Sequence, residues 1–282
     1  MPPFDWSQNE NHMRIVTVLI VLLGMTACVE KRPVIGPLGG GSDSARKVLI
    51  EEFTGVRCTN CPDGSAEILN LQALHGENLI AVSIHAGPFS EPYPENQYDF
   101  RTATGDALLQ LLGEPLGYPS AVIDRKIFPG ESGRPIGKAQ WPGYIQSELA
   151  EAPLVNVAIE TTYKDADRSL HVRVTVVPLE DIAEPLKLSV LLTEDNIVDV
   201  QAFPSGLDPG YTHRHVLRDR LMAEVSGLAI GDHFVKGQSQ SFDFDYTLPT
   251  NWKANDCHIV AFVHKAGPDL DVLQVEEHRV TE

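Results

Sequence analysis

Positive charge is scarce in this sequence. Twenty-two Lys and Arg face 39 Asp and Glu, a formal net charge of −17, and no basic run interrupts the acidity. Such a surface repels phosphate backbones and anionic headgroups, which argues against nucleic acid as a partner and against a polybasic lipid contact. Several catalytic signatures are missing as well: there is no Gly-rich phosphate loop, no GxSxG and no HExxH. Paired carboxylates such as Glu51 and Glu52 are expected from abundance alone in so acidic a chain, so hydrolase chemistry has no candidate. No internal repeat is visible, which removes propellers and solenoids. The apolar run from Ile15 to Leu23 is too short to span a bilayer.

That short run nevertheless has a meaning. Arg14 precedes it and small residues follow, the pattern of a secretory signal. Its ending, Met25-Thr26-Ala27-Cys28, resembles the bacterial lipobox, which implies that Cys28 becomes the lipid-modified first residue of the mature chain. The polar residues ahead of Met13 do not suit a signal, so either Met1 or Met13 starts translation. Val29 rather than an acidic residue follows the cysteine, which by resemblance to the sorting rule points to the outer membrane, facing the periplasm or the cell surface. Anchoring would then be the work of the lipid. Residues 29 to 45 are rich in Gly, Pro and Ser and read as a flexible tether.

A chain of 282 residues can hold one large domain or two ordinary ones. From Lys47 onward, strand-like and helix-like segments alternate: VLIEEF, a helix from Cys61 through Leu74, and the strand NLIAVSIHAG. Such a unit makes a parallel crossover. A Pro-rich polar insertion at 88–104 follows, then a short helix over Asp106 to Leu112, a strand over Ser120 to Phe128 and a helix at WPGYIQSELAEA, together a small α/β domain. Beyond Pro153 the texture is all strand: LVNVAIETTY, SLHVRVTVVP, LKLSVLLTED, SFDFDYTLP, CHIVAFVHK and DVLQVEEHRV, which predict an antiparallel sandwich of about six to eight strands.

Cys58 and Cys61 fall between the first strand and the first helix. Free N–H groups and the helix dipole at that place stabilise a thiolate, and Arg57 adds a positive charge, so Cys58 is the expected exposed nucleophile and Cys61 the buried resolving thiol. Pro62 suits a first helical turn. A structural disulfide is the ordinary alternative in an exported protein, although so short a loop gains little from cross-linking. A metal is a third reading: His85 ends the second parallel strand on the same sheet edge, and Cys58, Cys61 and His85 would suit Cu(I) or Zn. His213 and His215 in THRHVLR share a strand face but have no third ligand. Cys257 shares its face with Ile259, Ala261 and Val263 and reads as core, which turns His258 and His264 toward solvent.

An apolar strand, a CXXC at a helix start and a later proline opening a strand together resemble the thioredoxin-like fold. The resemblance implies that Pro119, in GYPSAV, is cis and packs beside the pair. It also implies that Tyr118 offers its backbone to a substrate, and that Glu52, six residues before Cys58, is a buried carboxylate relaying the proton of Cys61. The chain departs from the pattern at Arg57, where an aromatic residue is usual, and at Thr59-Asn60, where Gly-Pro is usual. The intervening dipeptide tunes redox direction, which the sequence leaves open.

A broader resemblance rests on EEFTGVRCTNCP, SIHAG, GYPSAVIDR, THRHVLR and HIVAFVHK through VLQVEEHRV. These segments are similar to the Omp28-related outer-membrane lipoproteins of Bacteroidetes-type bacteria. That resemblance implies α/β plus all-β architecture: a thioredoxin-like domain over 46–152 followed by an Ig-like antiparallel β-sandwich over 153–282. The expected function is thiol-disulfide exchange on a protein disulfide, with no cofactor and no nucleic acid partner. The alternative is a surface-binding lipoprotein whose cysteine pair is a staple, with Phe89, Tyr93 and Tyr98 of the inserted loop offering contacts to a surface ligand.

Overall fold

In the computed structural model, which describes residues 45–281, the chain is mixed α/β, mostly strand with few helices, and its strands form three sheets. Cys28 and nearly all of the signal and tether segments lie outside the described residues. No described helix is long and apolar enough to cross a membrane.

Strand β1 (Val48–Thr54) leads into helix α1 (Cys61–His75) and returns as β2 (Leu79–His85), parallel to β1. Helix α2 (Ala103–Leu112) follows the insertion, with the Thr102 side chain accepting the Gly105 N–H at 2.9 Å as its N-cap. Next come β3 (Ser120–Ile123), antiparallel to β1, the short β4 (Ile136–Gly137) and helix α3 (Trp141–Leu149). The expected strand to Phe128 stops at Ile123. The Asp124 carboxylate accepts the Leu49 N–H at 2.9 Å and a bond from Arg46 at 2.5 Å, and Asp124 and Arg125 turn through positive φ to allow it.

The remaining strands are β5 (Val155–Lys164), β6 (Ser169–Pro178), β7 (Leu186–Glu194), β8 (Ile197–Phe203), β9 (Gly206–His213), β10 (Val216–Arg220), β11 (Leu228–Gly231), β12 (Gln240–Thr247), β13 (Cys257–Lys265) and β14 (Val272–Arg279). The largest sheet runs β14-β13-β7-β10-β2-β1-β3-β4, with β11 on β7; β12-β6-β5 form a second, and β8 and β9 pair only with each other.

Period-two alternation along β1 sets its two faces. Val48 and Ile50 join Ile68 and Leu71 of α1 and Trp141 and Ile145 of α3 in one core. Leu49 and Phe53 face the other way, into a core shared with α2 and with the inner faces of β5, β6, β7 and β13. Both faces are covered, so the whole strand is buried. Glu51 points into the second face, where Arg125 meets it in a two-pronged pair at 2.7 and 2.9 Å, with the guanidinium over the Phe262 ring at 4.6 Å. Glu52 has the parity of Val48 and Ile50, and so points toward α1.

His264 departs from expectation: it is fully buried. Strand β13 is interior to the large sheet, and its second face is covered where Gly227 packs against the ring, so alternation no longer separates core from solvent. Its Nδ1–H donates to the Lys265 carbonyl at 2.9 Å, Nε2 lies 3.0 Å from the Ser189 hydroxyl, and burial pushes its pKa down to about 3. Cys257 is core as expected, and burial pushes its thiol up to about 12.

Candidate functional site

Cys58 and Cys61 are joined in a disulfide at the junction of β1 and α1. Cys61 is the first residue of α1, Pro62 occupies the first turn, and the N-cap residue Asn60 makes no side-chain cap. The positive end of the helix dipole is therefore not spent on a side-chain cap beside the pair.

The expected exposure of Cys58 is not found: Cys58 is 3 % and Cys61 1 % exposed. Two neighbours close over them. The inserted loop presses onto the turn before the pair, where the Arg57 N–H donates to the Phe89 carbonyl at 3.0 Å and a Cβ on Gly55 would meet that oxygen at 2.3 Å. From the other side comes the β8–β9 hairpin. Gln201 Nε2 donates to the carbonyls of Cys58 at 3.0 Å and Gly55 at 3.3 Å, and the Ala202 N–H donates to the Val56 carbonyl at 2.8 Å. The Arg57 guanidinium does not reach toward the sulfurs. It donates to the carbonyls of Glu91 and Pro92 and lies over the Tyr93 ring at 4.5 Å.

Glu52 is fully buried, with Ser83 beside it on β2 and Ala121 on β3. Its Oε2 accepts the hydroxyls of Ser83 at 3.2 Å and Ser65 at 3.4 Å, while Oε1 has no partner. Burial pushes its pKa up to about 8, against the lowering effect of the two hydroxyls. At neutral pH the carboxyl is thus largely protonated and close to exchanging that proton. It lines a small cleft with Ser65, Ser83, Tyr211 and Arg214, and those four residues also line the cleft of Cys61, His85 and His213. Glu52 and Cys61 open on adjoining space.

The Tyr118–Pro119 peptide is cis. Pro119 packs on α1 so tightly that a Cβ on Gly64 would come within 2.6 Å of the Pro119 Cβ and 2.8 Å of Glu52 Oε1. Gly64 therefore draws proline, carboxyl and helix together. The Tyr118 hydroxyl donates to the Ala86 carbonyl at 3.1 Å, and its ring meets Phe89 edge-on at 5.3 Å.

His85 does approach the pair, in the same cleft as Cys61. His213 joins it there, with ring centroids 5.6 Å apart, and the Phe100 ring packs tilted against both, its centroid within 5 Å of each. His85 Nδ1 and His213 Nε2 are buried without a hydrogen-bond partner; burial holds both imidazoles neutral, that of His213 down to about 4. His215 does not share this cleft. Its φ is positive, and its ring turns away to the Gln72 side chain and Asp195. Among the described residues no group of three His, Cys, Asp or Glu side chains is placed to hold a metal. Of the loop aromatics, Phe89 is partly exposed, whereas Tyr93 and Tyr98 pack on the small cluster of Val56, Phe100, Ile197 and Val216.

Sequence reasoning missed Gln201 and the hairpin that carries it. The alternating run Val198 to Ala202 ahead of the Pro204-Ser205-Gly206 turn was the available signal.

The family model of the outer membrane protein Omp28 matches residues 114–282, a span that includes Tyr118 and Pro119 but not Glu52, Cys58 or Cys61. A comparison with curated proteins gives no match. Among solved structures, HBP35 of Porphyromonas gingivalis superposes with a TM-score of 0.67 at 19% identity, covering 86% of this chain and 77% of that one. A protein of Agrobacterium tumefaciens superposes at 0.51 with 13% identity, covering 86% and 97%. Both are likenesses of fold. With well over half of its length matched by the family model, the chain belongs to the Omp28 outer membrane proteins.

Proposed function

We propose that this outer-membrane lipoprotein carries out thiol-disulfide exchange at Cys58 and Cys61. In this reading residues 46–152 are a thioredoxin-like unit, residues 153–282 an Ig-like sandwich sharing its sheet, and Cys28 the lipid-bearing residue. The observation that carries the reading is Glu52, a buried carboxyl poised near neutrality on space adjoining Cys61. An inert staple has no need of it, since burying an ionisable group costs stability.

With the pair reduced by a thiol donor, the Cys58 thiolate attacks one sulfur of a substrate disulfide. The substrate bond breaks, one substrate thiolate leaves and takes a proton, and Cys58 is held in a mixed disulfide. Cys61 then gives its proton to Glu52 in its ionised form, the minor form at neutral pH for a carboxyl titrating near 8, and attacks the Cys58 sulfur. The mixed bond breaks, the second substrate thiol departs, and the Cys58–Cys61 disulfide closes; two electrons have passed to the substrate. The reverse sequence oxidises a dithiol. Tyr118 and Pro119 would seat the substrate strand beside Cys58.

The test is reduction of insulin by the protein with a thiol donor, and oxidation of a reduced peptide by the disulfide form. Cys58→Ala is expected to abolish both. Activity retained in that variant, or none in the parent at any donor poise, overturns the reading. The burial of both cysteines favours a second reading, a surface-binding lipoprotein in which the pair is structural. Binding to cells or matrix that survives Cys58→Ala with Cys61→Ala, in a protein without exchange activity, would establish that one.

A further inference from the structure

Exchange at a pair this buried requires that something move. We propose that the β8–β9 hairpin is a cap on the cysteine pair, latched by Gln201, and that it must lift before a substrate disulfide can reach Cys58. The inference rests on the exchange reading above and adds its gate.

Three features single out this element. Its strands pair only with each other, so lifting it breaks no ladder of the larger sheets. Its outer strand is exposed from Gly206 through Gly210, and its anchorage is a thin layer of Ile197, Val200 and Ala202 against the body. Elements with so little buried apolar surface open at a fraction of the global unfolding free energy. Finally, its backbone contacts lie directly on the turn that carries the pair. The Ala202 N–H meets the Val56 carbonyl, and the Gln201 amide spans the carbonyls of Gly55 and Cys58.

The closed position is also balanced rather than overdetermined. In its favour stand the latch, the Asn96 bond to the Val200 carbonyl at 2.9 Å, and the Asp199 carboxylate, which accepts the N–H groups of Gln97 and Tyr98. Against it stand His213 Nε2 on the hairpin and His85 Nδ1 beneath it, both closed away from water without a partner. Buried unsatisfied groups of this kind cost free energy that solvation on opening returns. Opening thus exchanges a few hydrogen bonds for the hydration of two imidazoles and bares the sulfurs.

Access can be read without any exchange activity. A water-soluble trialkylphosphine reduces the disulfide to two thiols while becoming the phosphine oxide; iodoacetamide traps the thiols and mass spectrometry counts them. Gln201→Ala is expected to speed reduction about five- to thirty-fold, the effect of losing one or two net hydrogen bonds. Hydrogen exchange of the Ala202 amide should quicken by a similar factor. Faster Ala202 exchange with unchanged reduction would overturn the proposal. If the variant does not fold, the parent decides. In low urea, reduction and Ala202 exchange should rise together with a slope shallower than that of global unfolding, and reduction that follows the global slope overturns the cap. A gated pair without exchange chemistry passes this test and fails the insulin assay, while an ungated active pair does the reverse.

Discussion

Glu52→Gln tests the electrostatics of the site most directly. In the folded protein the carboxyl titrates near 8, against 4.5 ordinarily, and the cause is burial. Between those values the folded chain holds a proton that the unfolded chain has lost. The unfolded state binds fewer protons, so stability falls as pH rises, by about 1.4 kcal/mol per unit for this group. The penalty is absent below pH 4.5, reaches about 3 kcal/mol at pH 7, and levels off near 5 kcal/mol above pH 8. Glutamine is uncharged in both states and keeps the oxygen that accepts from Ser83 and Ser65. The variant is therefore expected to match the parent near pH 4 and to exceed it by about 3 kcal/mol at pH 7. Urea unfolding of both oxidised proteins from pH 4 to 9, followed by the fluorescence of the buried Trp141, measures the difference. A difference that does not change with pH would refute a Glu52 carboxyl raised toward neutrality by burial, and with it the observation on which the exchange proposal rests.

Three further outcomes follow from packing and burial. Gly64→Ala, which by helix propensity alone should stabilise α1, is expected to destabilise by about 1–3 kcal/mol through overpacking against Pro119 and Glu52, seen as a lower melting temperature. Glu51→Ala leaves Arg125 buried and unpaired; equilibrium denaturation should show a loss of about 3–5 kcal/mol. Cys257 should resist iodoacetamide at pH 8 while the protein is folded and label only on unfolding, with mass spectrometry locating the adduct, because burial raises its thiol pKa to about 12.

Much of the site could be read from one dimension because its logic is local. The apolar strand, the cysteines at its end and the helix after them occupy one short segment; the resemblance to the thioredoxin-like fold singled out Glu52, and its parity with Val48 and Ile50 places it on the α1 side. Pro119 lies further on, yet a proline opening a strand is itself a marked position. The strands β6 and β13 were legible for the same reason, as periodic runs with clear ends, and α2 was legible from Asp106 onward, three residues inside its start. The cap was not. Within β8 the run Val198-Asp199-Val200-Gln201-Ala202 alternates as a strand does, but its polar Asp199 and Gln201 are buried and Val198 is exposed, so the apolar pattern does not mark the docked face, and the partners of those two polar residues lie far off in sequence. Asp199 answers backbone N–H groups of Gln97 and Tyr98, and Gln201 answers carbonyls of Gly55 and Cys58.

The two kinds of residue at this site therefore obey different rules. Under the exchange proposal, those that would make the chemistry sit close together along one strand and one helix, since a thiol, its partner and its proton acceptor need adjacent positions on a rigid frame. Those that decide whether the chemistry is reached answer only to the backbone groups they cover, and any chain segment that folds back over the site can supply them. Gln201 belongs to the second kind. Its side chain lies among main-chain oxygens that every sequence possesses, so no motif marks it. Access to Cys58 is accordingly free to differ between chains that keep the same cysteine motif, and the motif alone is a poor guide to whether the pair is open or closed.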